Sequence, residues 1–352
     1  MPDHLNLGSV YAGSTIELSA RFLTSARKPR IDALFESLVG HCPSTWQPVL
    51  SRWHPKHRRE RMQLAVDLAK LTPRVDCPTF VRVESLQPER RKEWYDGRPF
   101  FVARLKIDTS RPGEEVAEMK VSCDGRWSAL PIRLRVLPAP AAPRRMLVTE
   151  TPYQSDATDD GAQFDVITAV LSRLGMPVDL MHHLPSDLRP YQCVLLGEGT
   201  LVHLTENDAA ALDTFVESGG RLVIACNAFF VGTVKMANDL LRDRGLQVVD
   251  QDHGSFISLS NIISHVLTRE VHHLEFQRAS LIRVTDPAKA KILVPAPNAD
   301  GGFLAVANQP NSGEIIVLGQ SLWWHWVQQF KENNDNARLL ENLLRRASSQ
   351  PP

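Results

Sequence analysis

Two hydrophobic rhythms divide this chain. Up to about residue 137 short segments alternate apolar with polar residues, as in Phe101-Val102-Ala103-Arg104-Leu105-Lys106-Ile107 and Leu130-Pro131-Ile132-Arg133-Leu134-Arg135-Val136, the period of two expected of half-buried strands. Beyond residue 145 the strands become nearly continuous apolar runs: Met146 to Glu150, Val178 to Met181, Cys193 to Gly197 and Arg221 to Cys226. Helical patterns separate them, which predicts a parallel sheet with helices on its faces. Helices are predicted over 164–174, closed by Gly175, over 205–218, over 232–242 and over 336–346. The second has the firmest ends, with Thr205 as N-cap, Asp208 three residues on and Gly219-Gly220 as the stop. Further strands are predicted over 246–249, 302–307 and 314–319, giving a flavodoxin-like α/β layout.

The change of rhythm coincides with Leu137-Pro138-Ala139-Pro140-Ala141-Ala142-Pro143-Arg144-Arg145. Prolines among small residues favour an extended, semi-rigid spacer. The expected organisation is therefore a β-sandwich over 1–137, a linker over 138–145 and an α/β domain over 146–348. Within the first unit Pro112-Gly113 and Asp124-Gly125 mark turns between strands. Residues 26–76 do not carry the alternation and read as an insertion with short helices at Ile31 to Leu38 and Glu60 to Leu71. Its basic stretch, Trp53 to Arg61, reads as a solvated loop and helix start because Glu60 and Asp67 interrupt the charge.

Composition narrows the function classes. The chain has 352 residues, with Lys+Arg and Asp+Glu both at 40 and a formal net charge of +0, so no global field favours a nucleic-acid partner or an anionic membrane. Cys42, Cys77, Cys123, Cys193 and Cys226 are scattered, odd in number and without C-x-x-C spacing, which speaks against a zinc site or a disulfide framework and fits a reducing compartment. The first residues show neither a basic nor an apolar signal region, and no run reaches the roughly 18 apolar residues of a membrane span. The expectation is a cytoplasmic chain without direct membrane insertion.

The opening, Leu5-Asn6-Leu7-Gly8-Ser9-Val10-Tyr11-Ala12-Gly13-Ser14-Thr15-Ile16, and the later Leu105 to Glu114 followed by Cys123-Asp124-Gly125-Arg126 resemble the ASPM/Hydin-type immunoglobulin-like sandwich modules. The second half resembles the class I glutamine amidotransferase-like superfold, in the branch that includes ThuA-like, gliding-motility and intraflagellar-transport proteins. The likeness rests on Thr151-Pro152-Tyr153 after the first strand, on Leu195-Leu196-Gly197-Glu198, on Phe215 to Val223 and on Val317 to Trp324. It implies a nucleophile position at Cys226, a base at His325 and an oxyanion hole near Gly197 and Gly199. Glutamine hydrolysis needs a strained elbow flanked by small residues and an oriented base. Here Ile224 and Ala228 flank the thiol, and the family's G-x-C-x-G and H-P-E patterns are absent.

Candidate ligand-binding residues follow from strand ends, where open α/β sheets bind ligands. Glu150, Glu198 and Asn227 end successive strands; Asp156, Asp159 and Asp160 form an acidic loop suited to a cation or to sugar hydroxyls; Trp324 and Trp326 offer an aromatic platform. His182-His183 and His272-His273 are adjacent pairs whose side chains diverge on a strand, so no metal is expected. The expected function is a non-catalytic binding or scaffolding protein, without a cofactor, that holds a partner protein or a carbohydrate-like ligand. The alternatives are a cysteine hydrolase or amidotransferase relative using Cys226 and His325, and a soluble accessory component of a transport or motility apparatus.

Overall fold

Alternation becomes strand wherever one face can be buried. In the computed structural model Ala103, Leu105 and Ile107 are buried while Arg104 and Lys106 face water, and Ile132, Leu134 and Val136 are buried while Arg133 and Arg135 are exposed. The structure describes residues 5–23, 74–89, 100–123, 126–140, 144–149, 169–181, 183–228, 232–253, 256–277, 279–297, 299–308, 313–320 and 334–345. Among these the chain is mainly β, with few helices.

The N-terminal strands are β1 (Leu5–Tyr11), β2 (Ile16–Leu23), β3 (Arg74–Asp76), β4 (Val81–Glu89), β5 (Phe100–Ile107), β6 (Gly113–Cys123) and β7 (Arg126–Leu137). One sheet has the order β1-β7-β6-β3, and β2, β5 and β4 lie side by side in another. β1 runs parallel to β7, whereas β6 and β7 form a long antiparallel pair in which Cys123 meets Arg126. Val10, Ile16, Val81, Leu105, Met119 and Ile132, drawn from both sheets, share one apolar cluster. The insertion read over 26–76 ends in regular structure, since β3 pairs with β6 at the sheet edge; residues 26–73 lie outside the described residues.

The C-terminal strands are β8 (Arg145–Val148), β9 (Val178–Leu180), β10 (Tyr191–Leu196), β11 (Arg221–Ala225), β12 (Leu246–Asp252), β13 (Phe256–Leu259), β14 (Leu274–Gln277), β15 (Ser280–Val284), β16 (Ala290–Pro295), β17 (Gly302–Asn308) and β18 (Glu314–Leu318). β9, β8, β10, β11 and β18 are consecutive parallel neighbours. Antiparallel β17, β15 and β12 continue the sheet beyond β18. All five residues of β11 are buried, as a central strand covered on both faces requires.

Helices α1 (Glu198–Leu201), α2 (Glu206–Glu217), α3 (Thr233–Leu240) and α4 (Asn336–Leu344) punctuate this order. Thr205 caps α2 through a reciprocal capping box with Asp208, which satisfies amides that the first turn leaves without helical partners. Of the helix predicted over 164–174 the described part is 169–174, helical over 169–172 and followed by a turn at Arg173 and Leu174. The predicted strand 246–249 extends to Asp252. β13 to β16 were not anticipated. β9 also meets β2, through the single register pair Ile16 and Leu180, so the N-terminal strands adjoin the edge of the C-terminal sheet. No helix among the described residues is long and apolar enough to cross a membrane.

Candidate functional site

The parallel strands deliver their C-terminal ends to one rim. There β10 stops at Leu196, Gly197 takes an extended conformation as N-cap, and Glu198 opens α1 with its side chain turned inward, 3% exposed. β11 stops at Ala225 and carries Cys226 and Asn227 immediately beyond, both wholly buried. Glu198 Oε1 accepts the Asn227 backbone N–H at 2.9 Å, a bond that ties the ends of two adjacent strands. Asn227 is also held from its carbonyl, which accepts the Thr233 hydroxyl at 2.7 Å at the start of α3.

The next residue extends the network across the sheet. Ala228 N–H donates to Ser280 Oγ at 2.8 Å, and that hydroxyl donates to the Gln251 carbonyl at 3.1 Å. Ser280 N–H reaches the Gly319 carbonyl at 2.7 Å, so the end of β18, the start of β15 and the end of β11 meet. On the other flank the Thr200 hydroxyl donates to the Thr149 carbonyl at 2.7 Å, and the Thr149 hydroxyl to the Leu195 carbonyl at 3.2 Å. Gln320, two residues beyond the end of β18, is wholly buried. The strand ends are thus held together by packed polar groups that fix their backbone.

Cys226, one residue before Asn227, is packed among apolar side chains. Its N–H donates to the Leu318 carbonyl at 3.1 Å, and its side chain belongs to the apolar cluster containing Leu196, Leu201, Ile224, Val234, Ala237 and Val317. Reactive cysteines are partly exposed and electropositive in setting, because the thiolate is the nucleophile and must be reached. A wholly buried thiol in an apolar cluster does not meet the first condition. Gly197, placed by the family likeness near an oxyanion hole, has a carbonyl that accepts the Thr200 and Leu201 N–H groups at 3.2 and 3.0 Å and serves to start α1.

Of the sequence-derived candidates the structure brings together Glu198 and Asn227, with Cys226 beside them in the chain. Glu150, Asp156, Asp159, Asp160, Trp324, His325 and Trp326 lie outside the described residues. Among the histidine pairs, His183 is exposed with Nδ1 3.6 Å from Glu17, and the backbone N–H groups of His272 and His273 both donate to Asp335 Oδ2, at 2.7 and 3.0 Å. Among the described residues no group of three or more His, Cys, Asp or Glu side chains could hold a metal ion.

The structure adds Thr149, Thr200, Thr233, Ser280 and Gln320 to the rim. Gln320 was accessible to the same strand-end rule that picked Glu198 and Asn227. Ser280 was not, because it begins an antiparallel strand that the sequence pattern did not announce. No family model and no curated protein matches the chain. Among solved structures it is similar to amylomaltase from Corynebacterium glutamicum, at 10% identity and a TM-score of 0.16, over 56% of this chain. The match spans 21% of that protein's length, and at this TM-score it carries no statement about fold or activity.

Proposed function

We propose that this chain is a non-catalytic binding or scaffolding protein, in which an immunoglobulin-like β-sandwich over 1–137 is joined by the 138–145 linker to a flavodoxin-like, amidotransferase-like α/β domain over 146–348. Two topological facts support the fold reading. The orders β1-β7-β6-β3 and β2-β5-β4 match a seven-stranded sandwich whose first strand joins the sheet of the last two. The order β9-β8-β10-β11-β18 is, counted along the parallel strands, 2-1-3-4-5, that of doubly wound flavodoxin-like sheets.

The observation that carries the functional reading is the position of Cys226, wholly buried in an apolar cluster at the strand end where the family's nucleophile would stand. Glu198 and Asn227 beside it act on backbone, tying the ends of β10 and β11 to each other and to the start of α3. Such a set of fixed strand ends suits recognition of a partner protein or a carbohydrate-like ligand, and the reading requires no cofactor, membrane insertion or nucleic acid. A glutaminase and ester-hydrolysis assay on the wild type and Cys226→Ala tests it. Equal, background rates are expected, and turnover that disappears in the variant while the fold is retained replaces this reading with the cysteine hydrolase alternative.

A further inference from the structure

The two halves of the chain share one apolar cluster, in which Val10, Ile16 and Leu105 join Met146, Val148 and Leu180, and a buried carboxylate sits at their seam. β9 is the edge of the parallel set, and its outer side is covered by the β1–β2 turn, residues 12–15. Leu180 N–H donates to the Thr15 carbonyl at 2.8 Å and Val178 N–H to Ser14 Oγ at 3.3 Å, so the outer side of β9 finds one backbone and one side-chain acceptor in the N-terminal unit. Between them Asp179, 3% exposed, collects donors on both oxygens. Oδ1 accepts the Thr15 N–H at 2.6 Å and an Arg145 guanidinium N–H, and Oδ2 accepts Arg145 Nε–H and the Tyr191 hydroxyl, each at 2.9 Å.

Arg145 completes the bridge. The same Nη2 that binds Asp179 also donates to the Gly13 carbonyl, at 2.5 Å. Gly13 turns with φ +82°, a left-handed conformation that suits glycine and brings its carbonyl to the arginine. The turn is itself anchored to its own unit, because Gly13 N–H donates to the Thr109 carbonyl at 3.1 Å and the Thr109 hydroxyl to the Ser14 carbonyl at 2.5 Å. A force on β9 is therefore transmitted through Asp179 to Thr15 and onward to β5. The strand-to-strand junction alone is a single register pair, Ile16 with Leu180.

We infer that Asp179 is a latch that locks the N-terminal strands onto the C-terminal sheet, so that the two halves unfold as one cooperative unit despite the Pro138–Pro140 spacer between them. A carboxylate desolvated at this junction is stable only while its donors stay in place, and opening the seam removes the Thr15 N–H and separates Arg145 from Gly13 together. The latch thus converts several modest contacts into an all-or-none closure. Without it the seam is left to the apolar cluster that both halves share and to single bonds such as that from the Tyr11 hydroxyl to the Ser172 carbonyl at 3.1 Å, and the halves open separately.

Hydrogen exchange followed by mass spectrometry across a urea series tests the latch in the intact chain. In the wild type, peptides from β5 to β7 and peptides from β10, β11 and β18 lose protection at one common midpoint. In Asp179→Asn, whose amide presents N–H groups to Arg145 and Tyr191, the two sets separate into two midpoints further apart than the width of either transition. Arg145→Lys keeps the charge but loses the planar fork that grips Asp179 and Gly13 together, and gives a smaller separation of the same kind. It decides the matter if Asp179→Asn does not fold. Two midpoints in the wild type, or a single midpoint in the folded variants, overturns the inference.

Discussion

Arg221 and Glu314 stand directly opposite one another at the start of the parallel pair β11 and β18, and the guanidinium grips one carboxylate oxygen through Nε–H at 2.9 Å and Nη2–H at 2.6 Å. The remaining nitrogen, Nη1, donates to the carbonyls of Asn342, Leu343 and Arg345 at 3.2, 3.0 and 2.7 Å. One buried side chain therefore pairs a charge across the sheet and closes the C-terminal end of α4, whose last carbonyls have no helical partners. The strand needs a cation at a position where its neighbours are apolar.

Arg221→Met should accordingly be among the most damaging single changes in the C-terminal half. Breaking a buried pair from one side strands the partner charge and costs about 3–5 kcal/mol. In Arg221→Met/Glu314→Leu the stranded charge is gone, so part of the loss returns, while the α4 carbonyls remain uncapped. Urea unfolding of the wild type and both variants checks the order. A double variant no more stable than Arg221→Met shows that the ion pair is not what the single change removes.

The strand ends were legible in the sequence where the physics is local. Thr205 and Asp208 announce their capping box because both partners lie within one turn, and Ala103 to Ile107 announces its strand because alternation needs only one buried face. Glu198 and Asn227 were placed at a rim by the strand-end rule, and the structure ties them together. What escaped was pairing over distance. Arg221 reads as an ordinary strand-initial cation until β18 and α4 close around it, and Asp179 reads as a polar interruption of a strand until Thr15, Arg145 and Tyr191 converge on it. β13 and β14 are four-residue strands with Ser258, Glu275 and Gln277 among them, too short and too polar for a period to show.

Thiol chemistry separates the buried cysteines from the accessible one. Cys193 and Cys226 are wholly buried, whereas Cys77 is partly exposed, with its pKa raised by burial and by the nearby Asp76 carboxylate. Under native conditions at pH 8 a small aromatic disulfide reagent should label Cys77 first of these three, slowly for a surface thiol, and reach Cys193 and Cys226 only on unfolding. Digestion and mass spectrometry after timed labelling assigns the order. Rapid native labelling of Cys226 contradicts the buried, structural role given to it.

Cys193 supplies a pH dependence with a definite sign. Burial is the main cause that pushes its pKa up to about 12, well above the ordinary thiol range, with Arg221 opposing the shift and Glu314 adding to it. The unfolded thiol loses its proton at lower pH than the folded one, so between these values the unfolded state binds fewer protons and stability falls as pH rises. The slope from one such group is at most about 1.4 kcal/mol per pH unit. Tyr191, raised chiefly by burial and then by Asp179, bends the curve the same way at the upper end. Urea midpoints measured from pH 8 to 11 should decline less steeply in Cys193→Ala than in the wild type, and parallel curves refute the assignment.

Gly319 tests how tightly the rim is closed. Its N–H donates to the Phe303 carbonyl at 3.0 Å while its own carbonyl accepts the Ser280 N–H at 2.7 Å, which holds β18, β17 and β15 together just below Gln320. A β-carbon built there would lie 2.0 Å from the Ser280 carbonyl oxygen, so backbone, not a yielding side chain, fills the space. Gly319→Ala should therefore force the strand ends apart and cost about 1–3 kcal/mol, the range for overpacking a filled interior. The same displacement pulls Ser280 Oγ away from the Ala228 N–H, so exchange at Ala228 should quicken more in Gly319→Ala than global destabilisation accounts for. Ser280→Ala removes that acceptor without any steric insertion and should quicken exchange at Ala228 alone. If Gly319→Ala leaves both stability and Ala228 protection unchanged, the strand ends yield easily and the rim is looser than its hydrogen bonds imply.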